Sequence, residues 1–177
     1  MSLLRPRTPH LLFFNMLTLR SQGSAIKQLQ HNLNHRFEQL DMLSDISVTV
    51  NGIFGSETLL AVKYLQCVAG LSVDGRVSDR TQAFIEQGAA GLDVLSIGSK
   101  GTSVVAVQQT LIAANITVLA DGVFGQFTEL GVRRYQQNLG LVSDGIVRVE
   151  TWEAVVRSRL KTVPCIALLP NPYKLSK

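Results

Sequence analysis

The chain is poor in charge, in aromatic rings and in long apolar runs. Lys, Arg, Asp and Glu make up 17 % of its 177 residues, against roughly a quarter in ordinary soluble proteins. Apolar residues make up 46 %, and the mean hydropathy is +0.20. Low charge with high apolar content excludes intrinsic disorder, which needs the opposite balance. The apolar runs at 11–14, 104–107 and 165–169 fall far short of the roughly 20 residues of a membrane-spanning helix. Only two cysteines are present, Cys67 and Cys165, so a disulfide framework is excluded. One bridge at most is available, and nothing in the sequence signals it. Cys67 therefore reads as a small, half-buried thiol.

The sequence pI of 9.3 invites a nucleic-acid reading, so the position of the charge matters. Seven cations sit at the ends: Arg5, Arg7, Arg157, Arg159, Lys161, Lys174 and Lys177. Between 8 and 156 lie ten basic residues and all 13 acids, leaving that body at −3. A folded nucleic-acid reader carries a basic stripe on its body. This body has none, and no nucleic-acid partner is expected.

What the chain does have is a repeat. Residues 51–85 and 121–155 align without a gap at an offset of 70, with 13 identities in 35 positions. Among them are Gly52/Gly122, Phe54/Phe124, Gly55/Gly125, Thr58/Thr128, Gln66/Gln136, Gly70/Gly140, Asp74/Asp144 and Gly75/Gly145. Upstream, Gly23, Ile26, Leu29, Gln30 and Leu33 face Gly101, Val104, Val107, Gln108 and Leu111 at an offset of 78. The first copy thus holds eight extra residues between Leu33 and Asn51.

Each copy reads as three helices. Ile26, Leu29 and Leu33, or Val104, Val107 and Leu111, recur on one helical face. Ser24 and Thr102 stand where an N-cap is expected. An Asn51-Gly52 or Asp121-Gly122 turn precedes a second helix, whose apolar face is Thr58, Ala61, Val62 and Leu65, or Thr128, Val132 and Tyr135. Gly70 and Gly140 read as helix-ending glycines, each followed by leucine. A second Asp-Gly turn, at 74–75 or 144–145, leads to a short third helix holding 81–85 or 151–155. The expected fold is all-α: two tandem small three-helix bundles with short turns and no substantial sheet. The expected divisions are an N-terminal extension at 1–15, repeat 1 at 16–87, a linker at 88–94, repeat 2 at 95–157 and a basic, apolar tail at 158–177.

The order of these features is a leucine-glutamine helix, DG-x-FG, T-x-x-x-V-x-x-x-Q, GL-x-x-DG-x-V and Thr. It resembles the peptidoglycan-binding-like domain family, accessory modules of bacterial wall enzymes. The resemblance covers about 17–86 and 95–156. Repeat 1 departs from it at Asn51, at Leu65 and in its inserted segment. The resemblance implies a three-helix bundle per unit that binds wall peptidoglycan without catalysis, in the cell wall, periplasm or extracellular space.

Other chemistry is thin. His31 and His35 are spaced for a shared metal, but the residues between them, Asn-Leu-Asn, omit the Glu of a zincin helix; surface histidines are the plainer reading. Cys165 lacks the arginine and glycine that flank a protease-prodomain cysteine switch. The Asp-Gly turns lack the alternating acids of a calcium loop. No metal or cofactor is expected. Phe54 and Phe124 read as core anchors. Trp152 is open between a core residue and a sugar platform. No catalytic constellation recurs in both units or gathers in one, so the chain reads as a binder and not an enzyme.

The N-terminal stretch, Arg5 and Arg7 followed by 11–19, faintly resembles a secretory signal without a cleavage site. Residues 1–15 are expected to be an extension upstream of a start at Met16. On the second helix, Leu60 and Leu130 fall opposite the core face, and at least one is expected to pack on the other repeat, the 163–169 tail or another subunit. Lys63 and Arg133 also point outward, flanked by Tyr64 and Arg134 and by Gln66 and Gln136. With Trp152 these are the candidate ligand residues, since cations beside amides and planar side chains suit the carboxylates, hydroxyls and amides of peptidoglycan. The plainer alternative is ordinary solvated helix residues. The competing functions are a protein-interaction or assembly module built on the same bundle, and the accessory part of a wall hydrolase.

Overall fold

The computed structural model describes residues 17–41, 46–160 and Cys165. The N-terminal extension, the proposed start at Met16 and all of the 163–169 tail except Cys165 lie outside these residues. Six α-helices form in chain order: α1 (Ser24–Gln39), α2 (Ser56–Val68), α3 (Asp79–Gln87), α4 (Thr102–Ala113), α5 (Gln126–Asn138) and α6 (Val149–Leu160). A 3-10 turn, Gly88–Gly91, joins the two triplets and packs against α3 and α6. Among the described residues there is no strand beyond four isolated bridges. The all-α expectation holds.

Each triplet closes on its own apolar cluster. Ile26, Leu29, Leu33, Phe54, Val62 and Leu65 fill the first; Val104, Val107, Leu111, Phe124, Val132 and Trp152 fill the second. Phe54 and Phe124 are fully buried anchors, as their placement beside a turn implied. α2 and α5 end in Schellman motifs, with Leu71 N–H donating to Gln66 O (2.8 Å) and Leu141 N–H to Gln136 O (2.9 Å).

Two local expectations are corrected. The N-caps of α1 and α4 are Gly23 and Gly101, and Ser24 and Thr102 are the first helical residues, with no side-chain cap. The reason lies in the turn ahead: Gly23 N–H donates to Gly52 O and Gly101 N–H to Gly122 O, both at 2.9 Å. Meeting that turn sets φ to +116° and +109°, which a glycine adopts without strain. The second correction concerns sulfur. Cys67 is not a thiol; it is bonded to Cys165 across 98 residues, with a Cα–Cα separation of 5.5 Å. Sequence spacing cannot reveal a pair so far apart, because only the folded chain brings the two together.

The two bundles share a helix. Trp152 and Val155 of α6 belong to the second core, while Val156, Leu160 and the bridged Cys165 belong to the first. Around this helix the contacts are polar and specific. Tyr64 Oη donates to Leu160 O (2.9 Å), and Ser103 Oγ donates to Gly70 O (3.2 Å). Arg159, expected in the basic tail, instead donates to Cys67 O at the end of α2 and to Ala106 O and Gln109 Oε1 of α4. A guanidinium at a helix C-terminus is favoured by the helix dipole.

Candidate functional site

Four glutamines organise the turns. Gln30 Oε1 accepts from Gly52 N–H (2.8 Å), while its Nε2 donates to Asn51 Oδ1, Ile53 O and Thr58 Oγ1. Gln108 repeats this on Gly122, Asp121, Val123 and Thr128. Gln66 repeats it on Gly75, Asp74, Arg76 and Thr81. Gln136 repeats it on Gly145, Asp144, Ile146 and Thr151. Each clasp ties one helix to the turn after it and to the start of the next helix. An amide suits this role because one group both donates and accepts. The signal was in the sequence: Asp or Asn, Gly and a Thr seven residues after the first, four times over with a glutamine upstream.

The clasps decide which candidate residues can meet a ligand. Gln66 and Gln136 are buried and spent on the turns. Tyr64 is buried in the first core, with its ring 6.3 Å from that of Phe37; burial pushes its phenol pKa up. Trp152 is 1 % exposed, and its Nε1 donates to Asp93 O (2.8 Å). The open reading of this tryptophan therefore resolves to core. Tyr64, Gln66 and Trp152 are enclosed by their own bundles, whereas Gln136, though buried, lines a cavity beside α5.

The cations fare differently. Lys63 is half-buried, its aliphatic stem lying against Gly75. Arg133 holds the equivalent place over Gly145, donating to Glu129 Oε1 (2.8 Å) and to Ser143 O (2.9 Å). Arg134 is exposed. Leu60 is half-buried and Leu130 is 59 % exposed. His31 and His35 lie on the surface, with His35 beside Glu38 and Gln39. Among the described residues no group of three or more His, Cys, Asp or Glu gathers to hold a metal, and no helix is long and apolar enough to cross a membrane.

Among the described residues, concave surface is found at these places. A cavity of about 550 Å³ opens between the repeats, lined by Ser72, Arg80, Asp93, Lys100, Thr102 and Ser103. Its hydroxyls, cations and helix start present many donors, and Arg80 and Asp93 are ion-paired in it. A second, of about 290 Å³, sits beside the end of α5 against Leu141, Val142, Asp144 and Arg148. The third lies between α1, the 3-10 turn and α6.

The model of the putative peptidoglycan binding domain matches residues 22–85 and 100–155. The chain belongs to this family. Both matched segments begin just before the first helix of a bundle and end within the third, so each covers one clasped unit of a tandem peptidoglycan-binding-domain protein. Among solved structures, the crystal structure of the SleB N-terminal domain matches at 31 % identity with a TM-score of 0.37, covering 38 % of this chain and 93 % of that one. No curated protein matches.

Proposed function

We propose that this protein binds bacterial cell-wall peptidoglycan without catalysis, through two tandem modules. The observation that carries this reading is the double family match, one per complete bundle. The disulfide supports a location outside the cytoplasm, since such bonds persist in oxidising compartments. Contact falls to the outward cations of the second helices, Lys63, Arg133 and Arg134, and to the hydroxyl-lined cavity between the repeats. Two modules on one chain raise retention on a repeating polymer by effective concentration. A wall hydrolase is a natural partner for such a binder.

Sedimentation with purified, insoluble peptidoglycan tests this. The protein is expected in the pellet, and soluble wall fragments should release it. Arg133 anchors its own turn, so the informative variant is Lys63→Glu/Arg134→Glu, which should weaken pelleting and leave the helical circular-dichroism signal unchanged. Full retention by that variant moves the site off the second helices.

One observation favours the protein-docking reading. Phe127 is 82 % exposed and shares the outer side of α5 with Leu130, where repeat 1 has Glu57 and Leu60. An exposed ring among apolar neighbours is a recognised mark of an interaction surface. Phe127→Ser should leave wall sedimentation unchanged; a loss would assign this face to the wall ligand as well.

A further inference from the structure

Arg36, near the end of α1, is 6 % exposed, yet among the described residues no carboxylate pairs with it. Its Nε donates to Ile85 O (3.1 Å) and its Nη1 to Gln39 Oε1, and the guanidinium lies over the Phe84 ring at 5.9 Å. Nη2 meets no acceptor among the described residues. A buried cation without a counter-charge is costly, and a planar fork with free N–H groups is the side chain best shaped for a carboxylate. Close approach is built in. At Gly88 a Cβ would lie 2.6 Å from Nη1 of Arg36, and φ there is +64°, so only glycine leaves room for the guanidinium.

The same guanidinium lines the third cavity, of about 300 Å³, together with Gln39, Phe84, Gln87, Glu153 and Arg157. That volume is at the lower end for small-ligand sites. Walls come from α1, from α3 and the 3-10 turn, and from α6 of the other repeat, so neither bundle forms the cavity alone. Repeat 2 has Ala114 where repeat 1 has Arg36, and no second copy of this arrangement is encoded.

We propose that this cavity is a carboxylate-binding site created by the tandem arrangement, with Arg36 at its base and Arg157 at its rim. Its ligand is the free carboxylate end of a wall stem peptide. Gln39 and Gln87 supply amide groups for the peptide bonds behind that carboxylate. Glu153 favours a ligand that carries an ammonium near its carboxylate over a plain dianion. The identity of the ligand rests on the wall-binding reading; the carboxylate chemistry rests on Arg36 and Arg157 in this cavity.

The test uses the intact, oxidised protein and calorimetric titration with a soluble stem tetrapeptide, as the free acid and as the C-terminal amide. The acid should bind at least about tenfold tighter, the usual loss when a hydrogen bond to a charged group is removed. Arg157→Gln should weaken the acid and leave the amide unchanged, and Arg36→Lys should erase the difference between them. Should Arg36→Lys fail to fold, the acid-to-amide ratio on the unaltered protein still decides. Equal binding of acid and amide, or binding of neither, overturns the proposal and leaves Arg36 a structural bridge between α1 and α3. Sedimentation on whole peptidoglycan, run beside it, separates the two readings. Pelleting without acid preference removes only this site. Acid preference without pelleting keeps the site and removes the wall reading. An L-amino-acid peptide of the same length that binds as well as the stem peptide would overturn the assignment to the wall in favour of a protein C-terminus.

Discussion

At the scale of single residues, the clasp glutamines hold the most for their size. Each satisfies a buried glycine N–H and three acceptors. Replacing Gln136 by Met keeps the volume and strands Gly145 N–H and Ile146 O, so about 2–4 kcal/mol of stability should be lost, read as a lower denaturant midpoint. The acidic member of the clasp behaves differently. Backbone N–H of Val123 and the amide of Gln108 hold the Asp121 carboxyl below its ordinary value, and Ile146 N–H, with Arg148 and Gln136, does the same for Asp144. A lowered folded-state value means stabilisation that is complete above the ordinary value of 3.8 and is lost as pH falls through the lowered one. Melting temperature should therefore fall as pH is lowered below the ordinary carboxyl value of 3.8. Asp121→Asn should keep the fold and flatten that drop in part, because Asn51 makes the same turn without a charge.

At the scale of elements, helix positions and core faces were legible because apolar periodicity and helix-ending glycines are local signals. Ile26, Leu29 and Leu33 had to face inward, and Gly70 had to end α2. The four ligand candidates that turned out buried show the limit. Gln66 and Gln136 lie on the flank of a helical wheel, where helical arithmetic alone cannot distinguish solvent from a turn folded back over the helix. Trp152 could be placed only once the backbone at Asp93 was known to pass beside it. The extra residues of repeat 1 carry their own logic. Asn34 donates to Val48 O (2.8 Å) and accepts from Val48 N–H (2.7 Å), pinning the segment so that Ile46 and Val48 bury. Its counterpart in repeat 2, which lacks the insertion, is the exposed Ile112. Asn34→Ala should free this segment, measured as faster amide exchange at Val48 with α5 and α6 unaffected.

At the scale of the whole molecule, the two repeats are tied to each other even though the sequence reads as two units. α6 contributes to both cores, Arg159 ties α2 to α4, and the Cys67–Cys165 bond closes the chain over 98 residues. None of this was visible beforehand, because each link joins residues far apart in sequence and has no periodic signature. The cross-link raises stability chiefly by restricting the unfolded chain, by about 2–4 kcal/mol in typical cases and towards the upper end for long loops. The native protein should therefore show no free thiol on alkylation and mass analysis, and a single calorimetric transition. Reduction should lower that transition and, by releasing Cys165 from the first core, loosen repeat 1 locally more than repeat 2. Exchange protection of amides in α1 and α2 should fall first, while those in α5 persist. Uniform loss across both repeats would mean that the bond stabilises the chain only through its unfolded state.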